Sequence, residues 1–335
     1  MNAGKRSPPP STGKGGDVAS ARRPVSYLAE RVVGRLLFER HRTDPALVRG
    51  LREEAAALEA RAARDTTAAA PIWERLRTEI RNLMRTGDPE RFLRWPPVRV
   101  SMVKRGRSAM AFELAQLRAR PDWRTRWRAA MRESTLGHAR PFHLMPSTSG
   151  TVIHAAYHLA RFEEVTGCRI PDARVVVEFG GGYGALCRLV HRLGFHGTYV
   201  VFDLPEGAAL QRFYLGHQGL AIAAGDAVLP ERGVVTTTDP ERLGALLRGR
   251  PPGAAAFIAP WSIGESPVDL RVRVLPAVED FDAFLIGYKA EFFDIDNRAW
   301  FSAWRARLLG HEWHDVPLTH VGKPEWYLFG ARRKV

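Results

Sequence analysis

The sequence predicts an α/β fold, a doubly wound, Rossmann-like parallel sheet preceded by a helical region. Three observations carry this. Residues 25–131 show apolar positions at helical spacing and little β-branched alternation. After Pro171-Asp172 the texture changes to Val175-Val176-Val177, a continuous β-branched run typical of a strand buried on both faces. From there strand candidates alternate with helical stretches, the pattern of a parallel sheet covered on both sides.

Residues 1–20 are Pro, Gly, Ser and Lys with almost nothing to bury, so a disordered tail is expected. A basic helical region over 21–145 follows. Leu28, Val32, Leu36 and Leu37 share one helical face, with Arg31 and Arg35 interleaved. Asp44-Pro45 suits a helix start, and Leu47, Leu51, Ala55, Leu58 and Ala62 form the stripe behind it. A third helix begins at Pro71 and stops near Gly87. Trp123, Trp127 and Met131 suggest a short amphipathic helix whose tryptophans are core. Residues 88–107 and 133–150 have little period. Pro146–Gly150 reads as a loop entering a helix that carries His154, Tyr157, His158 and Arg161 and ends near Gly167.

The second region, 146–335, contains the sheet. Strands are expected at Val175–Val177, Tyr199–Phe202, Ala254–Ala259 and Phe284–Ile286. Helices are expected around Leu186–Leu193, Pro205–Leu215, Glu241–Leu247 and Trp300–Leu309. The stretches His311–His320 and Trp326–Ala331 read as two strands joined across Gly322-Lys323-Pro324. The third strand is open between Ala221–Ala224 and Val234–Thr237.

Composition excludes several classes. Of 335 residues 45% are hydrophobic and 26% charged, the balance of a globular chain with a sizeable core. Cys168 and Cys187 cannot build a disulfide framework or a four-cysteine zinc site, and a reducing cytoplasm is the expected compartment. No apolar run is long enough to span a membrane, and the basic N-terminus lacks the apolar segment of a signal peptide. The net charge of +14 divides unevenly. Residues 1–145 carry 30 Lys+Arg against 15 Asp+Glu, and residues 146–335 carry 20 against 21. Only 6 of the 50 basic residues are lysine, in a chain rich in Ala, Gly and Pro as well as Arg. GC-rich codon usage produces that bias without a polyanionic partner, so no nucleic-acid partner is expected.

The most informative segment is Val175-Val176-Val177-Glu178-Phe179-Gly180-Gly181-Gly182-Tyr183-Gly184. A strand ends on an acid, glycines allow a tight turn and close ligand approach, and a helix N-terminus follows. Asp203 ends the next strand, where a carboxylate can accept both hydroxyls of a ribose. Gly180, Gly182 and Ala185 formally match a dinucleotide fingerprint. Glu178 argues against it, because a carboxylate beside a pyrophosphate repels it. The same carboxylate suits the ammonium of a methionine moiety, so the expected cofactor is S-adenosylmethionine. Its candidate contacts are Glu178, Gly180, Gly181, Gly182, Tyr183, Gly184, Asp203, Leu204, Asp226, Trp261 and Ser262. Asp226 is placed there only if Ala221–Ala224 is the third strand.

The run EFGGGYGALCRLVHRLGF, then YVVFDLPE and LQRFYL, resembles class I S-adenosylmethionine-dependent methyltransferases. More narrowly it is similar to bacterial sugar O-methyltransferases, whose W/N-S-L-S-E-x-P segment is matched by Trp261-Ser262-Ile263-Gly264-Glu265-Ser266-Pro267, with Gly264 replacing a serine. The resemblance covers residues 146–335. It implies a seven-stranded sheet whose last strand is antiparallel, and a sugar or glycosylated small molecule as acceptor.

Transfer to a hydroxyl needs the oxygen held in line with the methyl and a base for its proton. Glu265 is the first candidate base, because it follows the fourth strand. His154, on the helix before the first strand, is the second. His143 and His320 are weaker. His311 and His314 would face opposite ways on a strand. Asp294 and Asp296 are two apart but read as solvated loop acids, and no metal is expected. The competing functions are a nucleic-acid methyltransferase gripping phosphate with its basic half, a nicotinamide-dependent oxidoreductase, and a scaffold or membrane-surface protein using the helix near 28–38. The sequence leaves room for a homo-oligomer without setting its size.

Overall fold

The computed structural model describes residues 23–62, 71–104, 106–223, 228–322 and 325–333. The tail expected at 1–20 and the candidate Asp226 lie outside the described residues.

The first region is helical. It comprises α1 (Arg23–Leu37), α2 (Pro45–Ala62), α3 (Pro71–Thr86), α4 (Pro96–Ser101) and α5 (Arg107–Ala119). A π-helical turn at Trp123–Trp127 runs into the short α6 (Arg128–Ala130), in place of the one regular amphipathic helix expected there. Trp127 is fully buried, as a core residue should be. Short helical turns fill the stretch that lacked period, and Asp88 starts one by accepting the Glu90 N–H. Pro146–Gly150 is not the expected loop. It forms most of a hairpin strand, β1 (Pro141–Phe142) pairing with β2 (Met145–Ser149). Ser149 then caps α7 (Gly150–Thr166) by accepting the Val152 N–H, and Gly167 closes it in a left-handed conformation.

The sheet follows as β3 (Val175–Phe179), α8 (Ala185–Arg192), β4 (Thr198–Phe202), α9 (Pro205–His217), β5 (Ile222–Ala223), β6 (Gly233–Thr237), α10 (Pro240–Arg248), β7 (Ala255–Pro260), α11 (Val268–Val274) and β8 (Ala283–Lys289). The small hairpin β9 (Glu291–Phe292) and β10 (Ile295–Asp296) leads to α12 (Asn297–Arg305), β11 (His311–Leu318) and β12 (Glu325–Arg332). Strand order is β11-β12-β8-β7-β3-β4-β6-β5. The strands β5, β6, β4, β3, β7 and β8 run parallel, and β12 is antiparallel to both β8 and β11. There are thus eight strands, one more than the seven implied by the family resemblance. The addition is the two-residue β5 at the edge, and β6 is the strand that neighbours β4.

Alternation along each strand divides the core. Val176, Val201 and Ile258 face one side, with α7, α8, α9 and the helices of the first region. Val175, Val177, Val200 and Phe257 face the other, with α10, α11 and α12. The helical region therefore shares one continuous core with a face of the sheet. Phe92 shows this directly, making edge-on contacts with Tyr183, Phe213 and Tyr214.

Ion pairs pin the same junction. Glu39 accepts from Arg188 and Arg192, and Glu54 from Arg212. Glu206, at the start of α9, is 2% exposed and is held by Arg77 at 2.9 Å and Arg81 at 2.6 Å, both from α3. Buried pairs are costly to break because the surviving charge stays desolvated. Glu206→Ala should lower unfolding free energy by about 3 kcal/mol, and far-UV circular dichroism and tryptophan fluorescence should report one shared urea transition. Two separated transitions would contradict the continuous core.

Candidate active site

The carboxyl ends of β3, β4 and β7 meet at the turn 180–184. Parallel pairing aligns them, with Glu178 beside both Val201 and Ile258. Gly180, Gly182 and Gly184 have φ of 75°, 58° and 96°, a region that glycine enters without a Cβ clash. The reasons for glycine differ. A Cβ on Gly180 would lie 2.2 Å from the Ser262 Cβ, and one on Gly181 would lie 2.6 Å from the Val201 Cγ1. Those two glycines let neighbouring strands close on the turn. A Cβ on Gly182 would meet nothing nearer than Met102 at 3.8 Å, an ordinary contact, so that position is not closed by a neighbouring strand. The Tyr183 side chain is buried beside Phe92 and Tyr214 and serves the core.

Glu178 is buried, and its Oε2 accepts the Tyr199 hydroxyl at 2.8 Å. Desolvation raises its pKa to about 8, with the Asp203 charge adding to the rise and the Tyr199 bond opposing it. Asp203 is pushed up to about 6, again chiefly by desolvation. Its Oδ2 accepts the Gly182 N–H at 3.1 Å and the Gln211 amide at 2.7 Å, and its Oδ1 accepts the Leu204 N–H at 2.7 Å. A carboxylate offers about four acceptor positions. Asp203 thus ties the turn to β4 and retains acceptor capacity at Oδ1. Gln211 also donates to the Gly182 carbonyl at 3.0 Å. Leu204 is exposed beside this knot.

Beyond β7, Trp261 has φ of 69°, an uncommon value for a bulky residue. Gly287 makes room for its ring, since a Cβ there would lie 2.9 Å away. Ser262 donates to the Phe179 carbonyl and so clamps β7 to β3. Glu265 is ion-paired with Lys289 at 2.5 Å.

The Trp261 ring lies against His154 (5.2 Å between centroids) and His158 (5.0 Å), with the Lys104 Nζ 4.7 Å from its centre. His154 Nδ1 sits 2.8 Å from Glu113 Oε1, and His320 Nε2 sits 2.9 Å from the same oxygen. His158 Nδ1 meets the Tyr327 hydroxyl at 2.5 Å. Burial, followed by the charges of neighbouring cations, pushes both His154 and His158 well below the usual imidazole range. The carboxylate fixes the His154 tautomer with hydrogen on Nδ1, which leaves a lone pair on Nε2. That buried Nε2 has no partner among the described residues, and neither does the buried Trp261 Nε1.

The structure thus brings Glu178, the glycines, Asp203, Leu204 and Ser262 together at the strand ends, with Trp261 and His154 alongside. Of the weaker candidates, His320 joins His154 through Glu113. His143 is tilted against Phe142 and lines a cavity with Lys104, and His311 bonds the Phe281 carbonyl. Asp296 caps α12 by accepting the Ala299 N–H. The reading by sequence missed Glu113, Lys104, Gln211 and Tyr327. Glu113 carried a signal: it falls on the stripe Met110, Leu114, Leu117, where a carboxylate has no packing reason to be.

No protein-family model and no curated protein matches the chain. Among solved structures it is similar to an rRNA methylase from Streptococcus thermophilus, with 14% identity and a TM-score of 0.37, covering 58% of this chain and 98% of that one. It is also similar to precorrin-6y C5,15-methyltransferase from Geobacter metallireducens, with 15% identity and a TM-score of 0.37, covering 56% of this chain and 90% of that one. Likeness at this level assigns no function, and the site's own residues must do so.

The Gly180 contact generates a direct test. Gly180→Ala combines a left-handed φ with a Cβ inside the Ser262 side chain, so it should cost about 2 kcal/mol or more and lower the melting temperature. Adding Ser262→Gly should restore part of the loss. An unchanged melting temperature in Gly180→Ala would show that the turn is not clamped this way.

Proposed function

We propose that this protein is an S-adenosylmethionine-dependent methyltransferase acting on a hydroxyl of a sugar or glycosylated small molecule. One observation carries the cofactor: two acids on adjacent parallel strand ends, the buried Glu178 and the half-buried Asp203, flank a glycine turn whose Gly182 is not crowded by a neighbouring strand. Open doubly wound sheets bind their ligands at this edge. The residues fit the group. Glu178 is a desolvated carboxyl that an ammonium would stabilise in its charged form, and Asp203 Oδ1 can accept from a ribose hydroxyl. When bound, S-adenosylmethionine supplies an electrophilic methyl group. The acceptor class rests on the resemblance of the Trp261–Pro267 segment.

His154 serves as base in this reading, ahead of Glu265. Its Nε2 is neutral, buried and without a partner among the described residues, whereas the Glu265 carboxylate is engaged by Lys289. Nε2 takes the hydroxyl proton, and Glu113 at Nδ1 holds the ring and stabilises the imidazolium. Trp261 walls the site and Lys104 covers it from the connection between α4 and α5.

Glu178 gives cofactor binding a pH dependence of known sign. With a pKa of about 8 it holds its proton at pH 7. An ammonium beside it favours the carboxylate, so binding must expel a proton. Calorimetry in buffers of different ionisation heat should show proton release at pH 7 and affinity rising from pH 6 to pH 8. Glu178→Gln should remove both effects, and binding without proton release would separate Glu178 from the ammonium.

Turnover on a panel of glycosides tests the base. His154→Ala should lose roughly 10²-fold or more with cofactor affinity retained, the usual scale for general base catalysis. Glu265→Gln should stay within a few-fold of the parent. The reverse ranking would return the role to Glu265.

A further inference from the structure

Beside the histidine cluster lies a cavity of about 480 Å³ between the helical region and the start of α7. Among the described residues, five cationic side chains, Arg94, Arg99, Lys104, Arg107 and Arg140, line it against a single carboxylate, Glu30. That carboxylate is already shared, its two oxygens accepting from Arg94 and Arg140 at 2.9 Å each. Lys104 and Arg107 form no ion pair among the described residues. Lys104 is the more telling, because its half-buried ammonium lies on the Trp261 face with no carboxylate in ion-pair contact among the described residues, and the charges of Glu325 and Glu113 offset its lost hydration only from further off. Ser149, Gly150 and Thr151 also line the cavity, so the positive end of the 17-residue α7 opens into it. Lys104 belongs both to this cavity and to the cover over Trp261, and Tyr183 of the glycine turn lines the cavity as well.

We infer that the cavity receives a phosphoryl group carried by the acceptor, so that the substrate is a phosphorylated or nucleotide-linked sugar rather than a neutral glycoside. Lys104 and Arg107, which form no ion pair among the described residues, supply the charge, and an arginine guanidinium suits the planar, two-pronged contacts that phosphate oxygens accept. Identifying the ligand as the acceptor rests on the methyl-transfer reading. The excess of positive charge in the cavity does not.

Calorimetry on the full chain in 150 mM salt tests this, with inorganic pyrophosphate, glucose 6-phosphate, a nucleoside diphosphate glucose and glucose as probes. The phosphorylated probes should bind and displace one another, and glucose should not bind. Preference between the two phosphorylated sugars assigns the source of the group. Arg107→Gln and Lys104→Met should each weaken pyrophosphate binding roughly tenfold, the scale of one charge-assisted contact. S-adenosylmethionine affinity, measured on Arg107→Gln alone, should be unchanged. Phosphorylated probes that bind no better than glucose, or equally well in both variants, would overturn the inference. So would a ten-nucleotide RNA that outcompetes them, which would make the cavity part of a nucleic-acid track. Failure of S-adenosylmethionine to bind, with pyrophosphate still bound, would sink the cofactor reading and leave the anion site standing.

Discussion

Glu113 is a carboxylate with no solvent exposure, and the arrangement of the site depends on it. It stands on α5, in the helical region, yet its oxygens face His154 on α7 and His320 at the end of β11. A buried charge without partners costs several kcal/mol, so those two imidazole N–H groups are required of the fold. Burial also pushes the Glu113 pKa upward, opposed by His320. By holding hydrogen on Nδ1 of His154, Glu113 leaves the opposite nitrogen unprotonated in a dry setting. Three elements far apart in sequence are thereby locked around one oxygen pair.

The glycine turn is held by a second carboxylate with a different logic. Asp203 spends most of its acceptor capacity on the protein, on Gly182, Leu204 and Gln211. A ligand hydroxyl would meet an acid already oriented by three donors, so little ordering is left to be lost on binding. Glu178 is the contrary case. It has one hydroxyl donor and is otherwise desolvated, so it is protonated near neutrality and gains most from a cation. The two acids at one turn are thus tuned apart, one preorganised for neutral donors and one waiting for charge.

Much of the sheet was legible because its strands are buried on both faces and bounded by Gly, Pro and Asp. Val175–Val177, Tyr199–Phe202 and the C-terminal pair fall where periodicity puts them, and the glycine turn with its two acids follows from strand-end chemistry. Other parts resisted for physical reasons. Met145–Ser149 is a strand only because Phe142 and Pro141 pair with it, a tertiary effect that local composition does not record. The third strand was ambiguous because β5 and β6 are both real strands and pairing with β4, which selects β6, is non-local. Glu113, Lys104 and His320 come together from three separate segments, and no spacing rule connects them. His320 was named only as a weaker candidate base, and Glu113 left its own trace, as a charge on an apolar stripe.

The basic helical half acquires a reason from the same geometry. Some of its charge is consumed structurally, with Arg77 and Arg81 neutralising Glu206, and its acids Glu39 and Glu54 meeting arginines of α8 and α9. Part of the rest lines one cavity where α1, the connection between α4 and α5, and the β1–β2 hairpin meet. A composition bias toward arginine explains the number of charges but not their convergence beside Trp261. The helical region also supplies Glu113, which holds His154, and Met102, which lies next to Gly182 of the glycine turn. The sheet alone would present the glycine turn without Glu113 to hold His154 and without Lys104 over Trp261. The helices and the sheet thus build the site together, on the one core that they share.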